Sequence, residues 1–353
     1  MATSALIDGS LPDTIAAALA DPELAQRVAD DPATETNLVA AAAATSTAAF
    51  DDEDPVALDA AHRSLYHLYA QNAWAPTSAM RDNQHHPTMV AVLAALEAGF
   101  ERWLGRFALP EDLPEQPAEF TAWLRDLALE RDLPQIPPSG LGPFIRDEIT
   151  RDQLREIVAQ RSLFFLKEPD PWAMVIPSLR GKAKAGLLDL LLDEYGWGRY
   201  DQMHSTVYEE LMIALDLDTG YDAYADRASW QYLASMNLQN LYARHSRLCR
   251  RMYGYIYLIE ADSPRSMKNY LAAWDRLGLG NDERVTRFYE LHVTADEGHQ
   301  DVALNEIILP VVEEQPDARS DIARGVLEGH AIHRLFGAHL ADTLKHGRSS
   351  LCR

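Results

Sequence analysis

Apolar side chains recur at helical spacing along most of this 353-residue chain. From residue 147 onward the pattern predicts nearly continuous helix, in segments near 147–167, 173–195, 200–216, 227–244, 246–261, 264–278, 283–308 and 318–346. Upstream it predicts an acidic, Ala-rich region with short helical patches and then helices at 58–80, 88–107 and 118–131. Alternating Val/Ile runs typical of strands are scarce, so we expect an all-α protein.

The clearest interruption of the helical pattern is the stretch Leu133-Pro134-Gln135-Ile136-Pro137-Pro138-Ser139-Gly140. Clustered prolines followed by glycine are typical of a linker. We therefore predict an N-terminal helical region over residues 1–140 and a second helical domain over residues 141–353. Within the second domain, the dipeptide Ser263-Pro264 predicts a turn between two helices.

Composition limits the classes of partner. The formal net charge is −22, which argues against nucleic acid and against an anionic membrane surface, because both require a basic face. The two cysteines, Cys249 and Cys352, form no CxxC motif and no disulfide framework. The sequence has no apolar stretch long enough to span a bilayer and no secretory leader, so we expect a cytoplasmic protein.

The strongest chemical signal is the run His292-Val293-Thr294-Ala295-Asp296-Glu297-Gly298-His299, inside a predicted helix. At about 100° per residue, His292, Asp296 and His299 share one helix face over two turns. Imidazole and carboxylate without thiolate suit iron or manganese better than a structural zinc site. Glycine at 298 costs about 1 kcal/mol relative to alanine, and we expect it to admit a neighbouring helix.

Four other residues carry weaker signals. Glu194 precedes a predicted helix break and His204 follows it by one turn, although acid–histidine pairs are common without function. Glu260 closes an apolar run, where a buried charge would need a partner and an exposed one would not. Glu168 precedes a proline, as ordinary polar helix ends also do. His330, His333, His339, His85 and His86 lack suitably spaced carboxylates and are interpreted as structural or surface residues.

No Glu-x-x-His pair occurs in the sequence, which argues against the ferritin-like diiron bundles. The pattern instead resembles the haem-oxygenase-like diiron oxidases, in which one helix carries His-x3-Asp-x2-His. It is most similar to their N-oxygenating branch, where a Glu and a His lie ten residues apart and a further carboxylate lies 26 residues before that Glu. The resemblance covers residues 145–345 and implies seven metal ligands: Glu168, Glu194, His204, Glu260, His292, Asp296 and His299.

The resemblance also implies a fold and a chemistry. The fold would be a haem-oxygenase-like helical bundle, with the N-terminal region serving in a homodimer. Two iron ions, O2 and an external reductant would oxidise the amine nitrogen of a small substrate, such as a lysine-like amino acid, a guanidine or an aminoimidazole, in natural-product biosynthesis. The sequence assigns no substrate-binding residue. The sequence lacks the cupin domain that forms the N-nitroso group in one enzyme of that branch, which argues against N–N bond formation.

Two other functions stay open at this point. Within the same fold, the enzyme could cleave a C–C bond or decarboxylate a fatty or amino acid, and a basic residue facing the site would favour this reading. In another class, the chain could be a non-catalytic helical protein that binds a metal or a ligand. Haem degradation fits less well, because it requires one axial histidine rather than a cluster of acids.

Overall fold

The structure is a computed structural model that describes residues 9–73, 77–129, 133 and 136–351. In these ranges the chain is helical throughout, apart from turns and one isolated antiparallel bridge between Leu133 and Ile136, which confirms the predicted all-α class. None of the helices in these ranges combines the length and the apolar composition needed to cross a bilayer.

The chain divides into two compact units, Met1–Ala108 and Leu109–Arg353. The described part of the first unit contains α1 (Leu11–Ala20), α2 (Leu24–Asp30), α3 (Ala33–Phe50), α4 (Pro55–Ala73), α5 (Ser78–Asn83) and α6 (Pro87–Leu104). Helix α3 is 18 residues long, longer than the short patches predicted, because its many alanines have the highest helix propensity. Its last residue, Phe50, packs on Phe100 and His62 in the core of this unit.

The described part of the second unit contains α7 (Pro117–Leu129), α8 (Leu141–Asp147), α9 (Arg151–Phe165), α10 (Asp170–Ala173), α11 (Gly181–Glu194), α12 (His204–Ala214), α13 (Trp230–Arg244), α14 (Cys249–Arg276), α15 (Glu283–Asp301), α16 (Leu309–Glu314) and α17 (Ala318–Lys345). A π-helix, Val302–Ile308, follows α15 directly. Helix α7 packs on α14, α16 and α17, so the division between the two units lies, along the chain, before the linker at 133–140. A domain boundary at residue 140 stays a prediction.

Helix α14 corrects one sequence-based prediction. The expected turn at Ser263-Pro264 is wrong, because one 28-residue helix runs through Pro264. An internal proline removes a backbone hydrogen bond and costs about 3 kcal/mol. Extensive packing of α14 against α15 and α17 on both sides of the proline offsets this cost. Pro264 itself is buried, so its ring contributes to the core.

The crossing of α14 and α17 depends on two glycines. A Cβ atom on Gly254 would overlap the carbonyl oxygen of Ile322, and one on Gly325 would overlap the carbonyl oxygen of Arg251. The two helix backbones therefore touch at this point. At Gly298, by contrast, no described residue outside its own helical turn has an atom within 4 Å of the position of a Cβ. The expectation that Gly298 admits a neighbouring helix is wrong.

Helix α11 is held against the end of α15 by the π-helix. Gly186 of α11 lies so close to Glu306 that a Cβ on the glycine would be 2.8 Å from the Glu306 Cβ. Lys182 forms an ion pair of 3.1 Å with the carboxylate of Glu306. On its other side, α15 packs along α14, to which a short turn at residues 277–282 connects it. Helices α11, α14 and α15 are therefore fixed side by side.

We predict that Gly254→Ala destabilises the metal-free protein by about 1–3 kcal/mol, because the added methyl forces the two backbones apart. Gly298→Ala is the matched control, since it adds a methyl to a helix with open space and should raise the free energy of unfolding by up to about 1 kcal/mol. Urea denaturation followed by circular dichroism measures both. Equal effects of the two variants would contradict the close crossing.

Candidate metal centre

Helix α15 presents three of the predicted ligands on one buried face. His292, Asp296 and His299 are 3%, 2% and 6% exposed. The Nδ1 atom of His292 lies 2.8 Å from the carbonyl oxygen of Phe288. It donates its hydrogen to that oxygen, which leaves Nε2 as the atom with a free lone pair.

The connection between α11 and α12 brings two further ligands together. Glu194 is the last residue of α11 and His204 is the first residue of α12. Between them, Gly196 has a φ of +59° and lies against the backbone of Gln202, where a side chain would clash. This tight return places His204 Nδ1 2.7 Å from Glu194 Oε2.

The first candidate metal position is formed by Glu194, His204 and His292, whose ligand atoms lie within 4.8 Å of one another. Glu168 lies beside this group, with its Oε2 atom 3.9 Å from His292 Nε2. Glu168 follows the end of α9 and is 4% exposed. Four of the seven predicted ligands are therefore adjacent here.

The second candidate position is formed by Glu194, Glu260, Asp296 and His299, again within 4.8 Å. Its centre is His299 Nδ1, which lies 3.4 Å from Glu194 Oε1, 3.3 Å from Glu260 Oε2 and 3.5 Å from Asp296 Oδ1. Glu194 belongs to both groups and turns one carboxylate oxygen toward each. If both positions held a metal ion, Glu194 would be a ligand available to each.

Unsatisfied polar atoms support metal binding at both positions. Each predicted ligand has one buried atom without a well-aligned hydrogen bond in the structure, although Glu194 Oε2 and His204 Nδ1 face each other at 2.7 Å: Glu168 Oε2, Glu194 Oε2, His204 Nδ1, Glu260 Oε1, His292 Nε2, Asp296 Oδ1 and His299 Nδ1. Buried polar atoms are almost always hydrogen-bonded, so a cluster of exceptions requires an explanation. Metal–ligand distances of about 2.0–2.2 Å place ligands of one ion within about 4.4 Å of each other. The donor set, nitrogen and oxygen without thiolate, fits two iron ions.

The charges of the cluster also require cations. Burial raises the pKa of Glu168 and of Glu260, and the neighbouring carboxylates raise both further. Burial lowers the pKa of His292, so this imidazole is neutral and can act as a ligand. For His299, burial acts to lower the pKa, but the three surrounding carboxylates raise it above its usual value. Two divalent cations would relieve the repulsion among the acids.

Asp193 contacts a predicted ligand, and the sequence did not single it out. Its Oδ2 atom lies 2.9 Å from His299 Nε2, and its Oδ1 atom accepts a hydrogen bond of 3.0 Å from the indole of Trp197. This carboxylate fixes the His299 ring with Nδ1 toward the cluster, as carboxylate partners of metal-bound histidines do. Asp193 is one more acid beside Glu194 in the sequence, and only the tertiary contact distinguishes it.

Arg161 is a second residue that the sequence did not single out. It lies on α9 and lines a cavity of about 70 Å³ together with Glu168, Glu260 and other ligand residues. The histidines interpreted as structural lie outside both ligand groups. His330 contacts the carbonyl oxygen of Leu127, and His333, also at the cavity wall, contacts the hydroxyl of Tyr255.

We predict that Asp193→Asn weakens metal binding at the His299 position by roughly 10- to 100-fold, because the ring loses the partner that orients it. Titration of the metal-free protein with Fe²⁺ under anaerobic conditions measures this. Asp189→Asn, an exposed change on the same helix, should bind iron like the wild type. Unchanged affinity in Asp193→Asn would exclude the positioning role.

We predict that Glu260→Gln leaves the metal-free protein at least as stable at pH 7.5, because it removes one of several repelling buried carboxylates. The same variant should lose most of the stabilisation that added Fe²⁺ gives the wild type. Thermal melting with and without Fe²⁺ measures both effects. A variant that melts lower without iron yet keeps the full shift with iron would contradict the assignment of Glu260 as a ligand.

Comparison with known proteins agrees with this geometry. A relative from Streptomyces achromogenes subsp. streptozoticus, named nitrosourea synthase, is 28% identical over 172 residues. The aligned region is 46% of this chain and 35% of the relative, so the match spans about a third of the relative's length.

A family described as iron-containing redox enzymes matches residues 155–333, half of the chain. This range includes all seven predicted ligands, from Glu168 to His299, and both candidate metal positions. The resemblance inferred from the ligand pattern is thereby confirmed at the level of the family. This chain belongs to the family of iron-containing redox enzymes.

Proposed function

We propose that this chain is a non-haem diiron oxygenase that uses O2 and an external reductant to oxidise the amine nitrogen of a small molecule. The product would be a hydroxylamine, a nitroso compound or a nitro compound. The observation that carries the proposal is the pair of buried ligand groups that share Glu194. One shared carboxylate between two such groups suits two metal ions better than one.

The residues around the two positions have distinct roles in this proposal. His204 and His292 on one side and His299 on the other would each hold an ion. Two ferrous ions would supply electrons for the reduction of O2. The carboxylates of Glu168, Glu194, Glu260 and Asp296 carry four negative charges, which neutralise the four positive charges of two ferrous ions.

The surroundings of the ligands support chemistry that must exclude bulk water. Apolar side chains, including Phe164, Phe165, Leu258 and Met267, line part of the cavity that reaches the ligands. The rings of Phe165 and Phe288 pack against His292. A substrate bound in this cavity would lie against the ligand groups and displace water from them.

Oxidation at nitrogen is favoured by the relative and by charge. The relative that aligns with the ligand-bearing region is named for a nitrosourea, a product with oxidised nitrogen. The net charge of −22 suits a substrate that carries a cationic amine. A homodimer, a cytoplasmic location and a role in natural-product biosynthesis stay predictions from the sequence.

A second reaction within the same fold is favoured by one observation. Arg161 places a guanidinium at the cavity that contains the ligand carboxylates. A basic group at this place suits a substrate carboxylate, as in oxidative C–C cleavage or decarboxylation of a fatty or amino acid. Amino acids that are oxidised at nitrogen also carry a carboxylate, so Arg161 is compatible with both reactions.

The test is to load the protein anaerobically with Fe²⁺, count the bound ions, add O2 and follow the visible spectrum by stopped flow. We expect two ions per chain and a transient band that decays faster when amines are present. A transient hastened by acids without an amine would replace N-oxygenation with the second reaction. Binding of one ion or none, with no transient, would favour a non-catalytic binding protein.

A further inference from the structure

Arg161 carries a positive charge without an ionic partner. Its guanidinium lies over the rings of Phe165 and Tyr270, at 4.7 and 5.8 Å from their centroids. Its Nη1 atom donates a hydrogen bond of 3.2 Å to the Tyr270 hydroxyl. No carboxylate oxygen of the described residues lies within 4.0 Å of it. A guanidinium in an aromatic environment without an acid is costly and uncommon.

One edge of this guanidinium is available for a ligand. The Nε atom is buried and has no hydrogen-bond partner among the described residues. The neighbouring Nη2 atom also donates no hydrogen bond there. The Nε and Nη2 atoms together form the planar, two-pronged edge with which arginine binds a carboxylate. Ser263, another residue of the same cavity, has a buried hydroxyl without a partner.

The cavity connects this edge to the candidate metal centre. Arg161 shares its walls with Glu168, Glu194 and Glu260. The Phe165 ring contacts both groups, with its centroid 4.7 Å from the guanidinium of Arg161 and 6.0 Å from the ring centroid of His292. A ligand anchored at Arg161 would therefore lie in the same cavity as the ligand residues.

Charge balance shows what kind of ligand fits. Four ligand carboxylates and two ferrous ions would sum to zero, so the ligand groups would leave no net negative charge to compensate Arg161. A substrate carboxylate would place a negative charge beside this guanidinium. The other acid at the cavity wall, Asp262, is paired with Arg265 and does not compensate Arg161.

We propose that the Nε–Nη2 edge of Arg161 binds a carboxylate of the substrate. This inference rests on the proposed function and narrows it: the substrate is an amino acid or another carboxylic acid, and simple guanidines and aminoimidazoles are disfavoured. In this arrangement the substrate carboxylate would lie at Arg161, and the atom to be oxidised would lie toward the ligand groups of the same cavity.

Propionate binding tests this subsite, because propionate is small enough for the cavity and requires no knowledge of the full substrate. Its affinity for the Fe²⁺-loaded protein is measured under anaerobic conditions by thermal shift at constant ionic strength, with neutral propionamide as the matched ligand. The proteins compared are the wild type, Arg161→Gln, Arg161→Lys and Arg151→Gln. Arg151 is an exposed arginine of the same helix and serves as the control.

We expect propionate to bind the wild type and Arg151→Gln more tightly than propionamide does. Arg161→Gln should weaken propionate binding at least about tenfold, because a charge-assisted pair of hydrogen bonds is lost. Arg161→Lys keeps the charge but lacks the planar edge, so it should retain part of the propionate affinity that Arg161→Gln loses. The melting curves without ligand show in the same experiment that each variant is folded.

Two outcomes would overturn the proposal. One is equal propionate affinity in the wild type and Arg161→Gln, which would place the carboxylate on the metal ions instead. The other is no propionate binding to the wild type. The iron content of the same samples tests the diiron centre independently of the carboxylate subsite. Arg161→Gln should retain the wild-type iron content. An iron content below two in the wild type would contradict the diiron centre but not the carboxylate subsite.

Discussion

Mutual repulsion among buried carboxylates is the constraint around which the second unit is organised. Glu168, Glu194, Glu260 and Asp296 are each at most 4% exposed, and burial of uncompensated charge is among the most expensive features a fold can contain. A helical bundle can hold such groups only if the helices cannot separate. The backbone contact at Gly254 and the tight seat of α11 on the π-helix meet this requirement. The clustered carboxylates thus lower the stability of the metal-free fold. A bound cation would offset their mutual repulsion.

Some of the predicted ligands lie within a continuous helix, and others lie where a helix begins or ends. The three ligands on α15 are positioned by helical periodicity alone. Glu194 and His204 depend on the return at Gly196, and Glu168 depends on the turn after α9. The three residues on α15 are held by one continuous helix, whereas Glu168, Glu194 and His204 lie at helix ends. One side of the site is therefore more rigid than the other. The shared carboxylate of Glu194 lies where these two sides meet.

The sequence predicts the positions of residues that share one helix better than those of residues at helix ends or on different helices. The face formed by His292, Asp296 and His299 could be predicted because it is a property of one helix. The all-α class followed from composition and spacing. The grouping of Glu260 with His299 rested on family resemblance, since no local rule relates residues on different helices. The contacts of Asp193 and Arg161 could not be predicted, because one depends on the position of His299 and the other on a cavity formed by several helices. At Pro264 the sequence-based prediction was wrong, because local propensity predicts a helix break there. Tertiary packing instead keeps the helix continuous.

That internal proline has a consequence for one ligand in particular. Proline lacks the N–H group that would bond to the carbonyl four residues earlier, and for Pro264 that carbonyl belongs to Glu260. The turn that carries Glu260 therefore has one fewer hydrogen bond than the turns that carry His292 and Asp296. Displacement of its backbone costs correspondingly less free energy. If the proposed ions change charge during a redox cycle, Glu260 would be the residue of these three whose backbone can adjust with the least loss of helical structure.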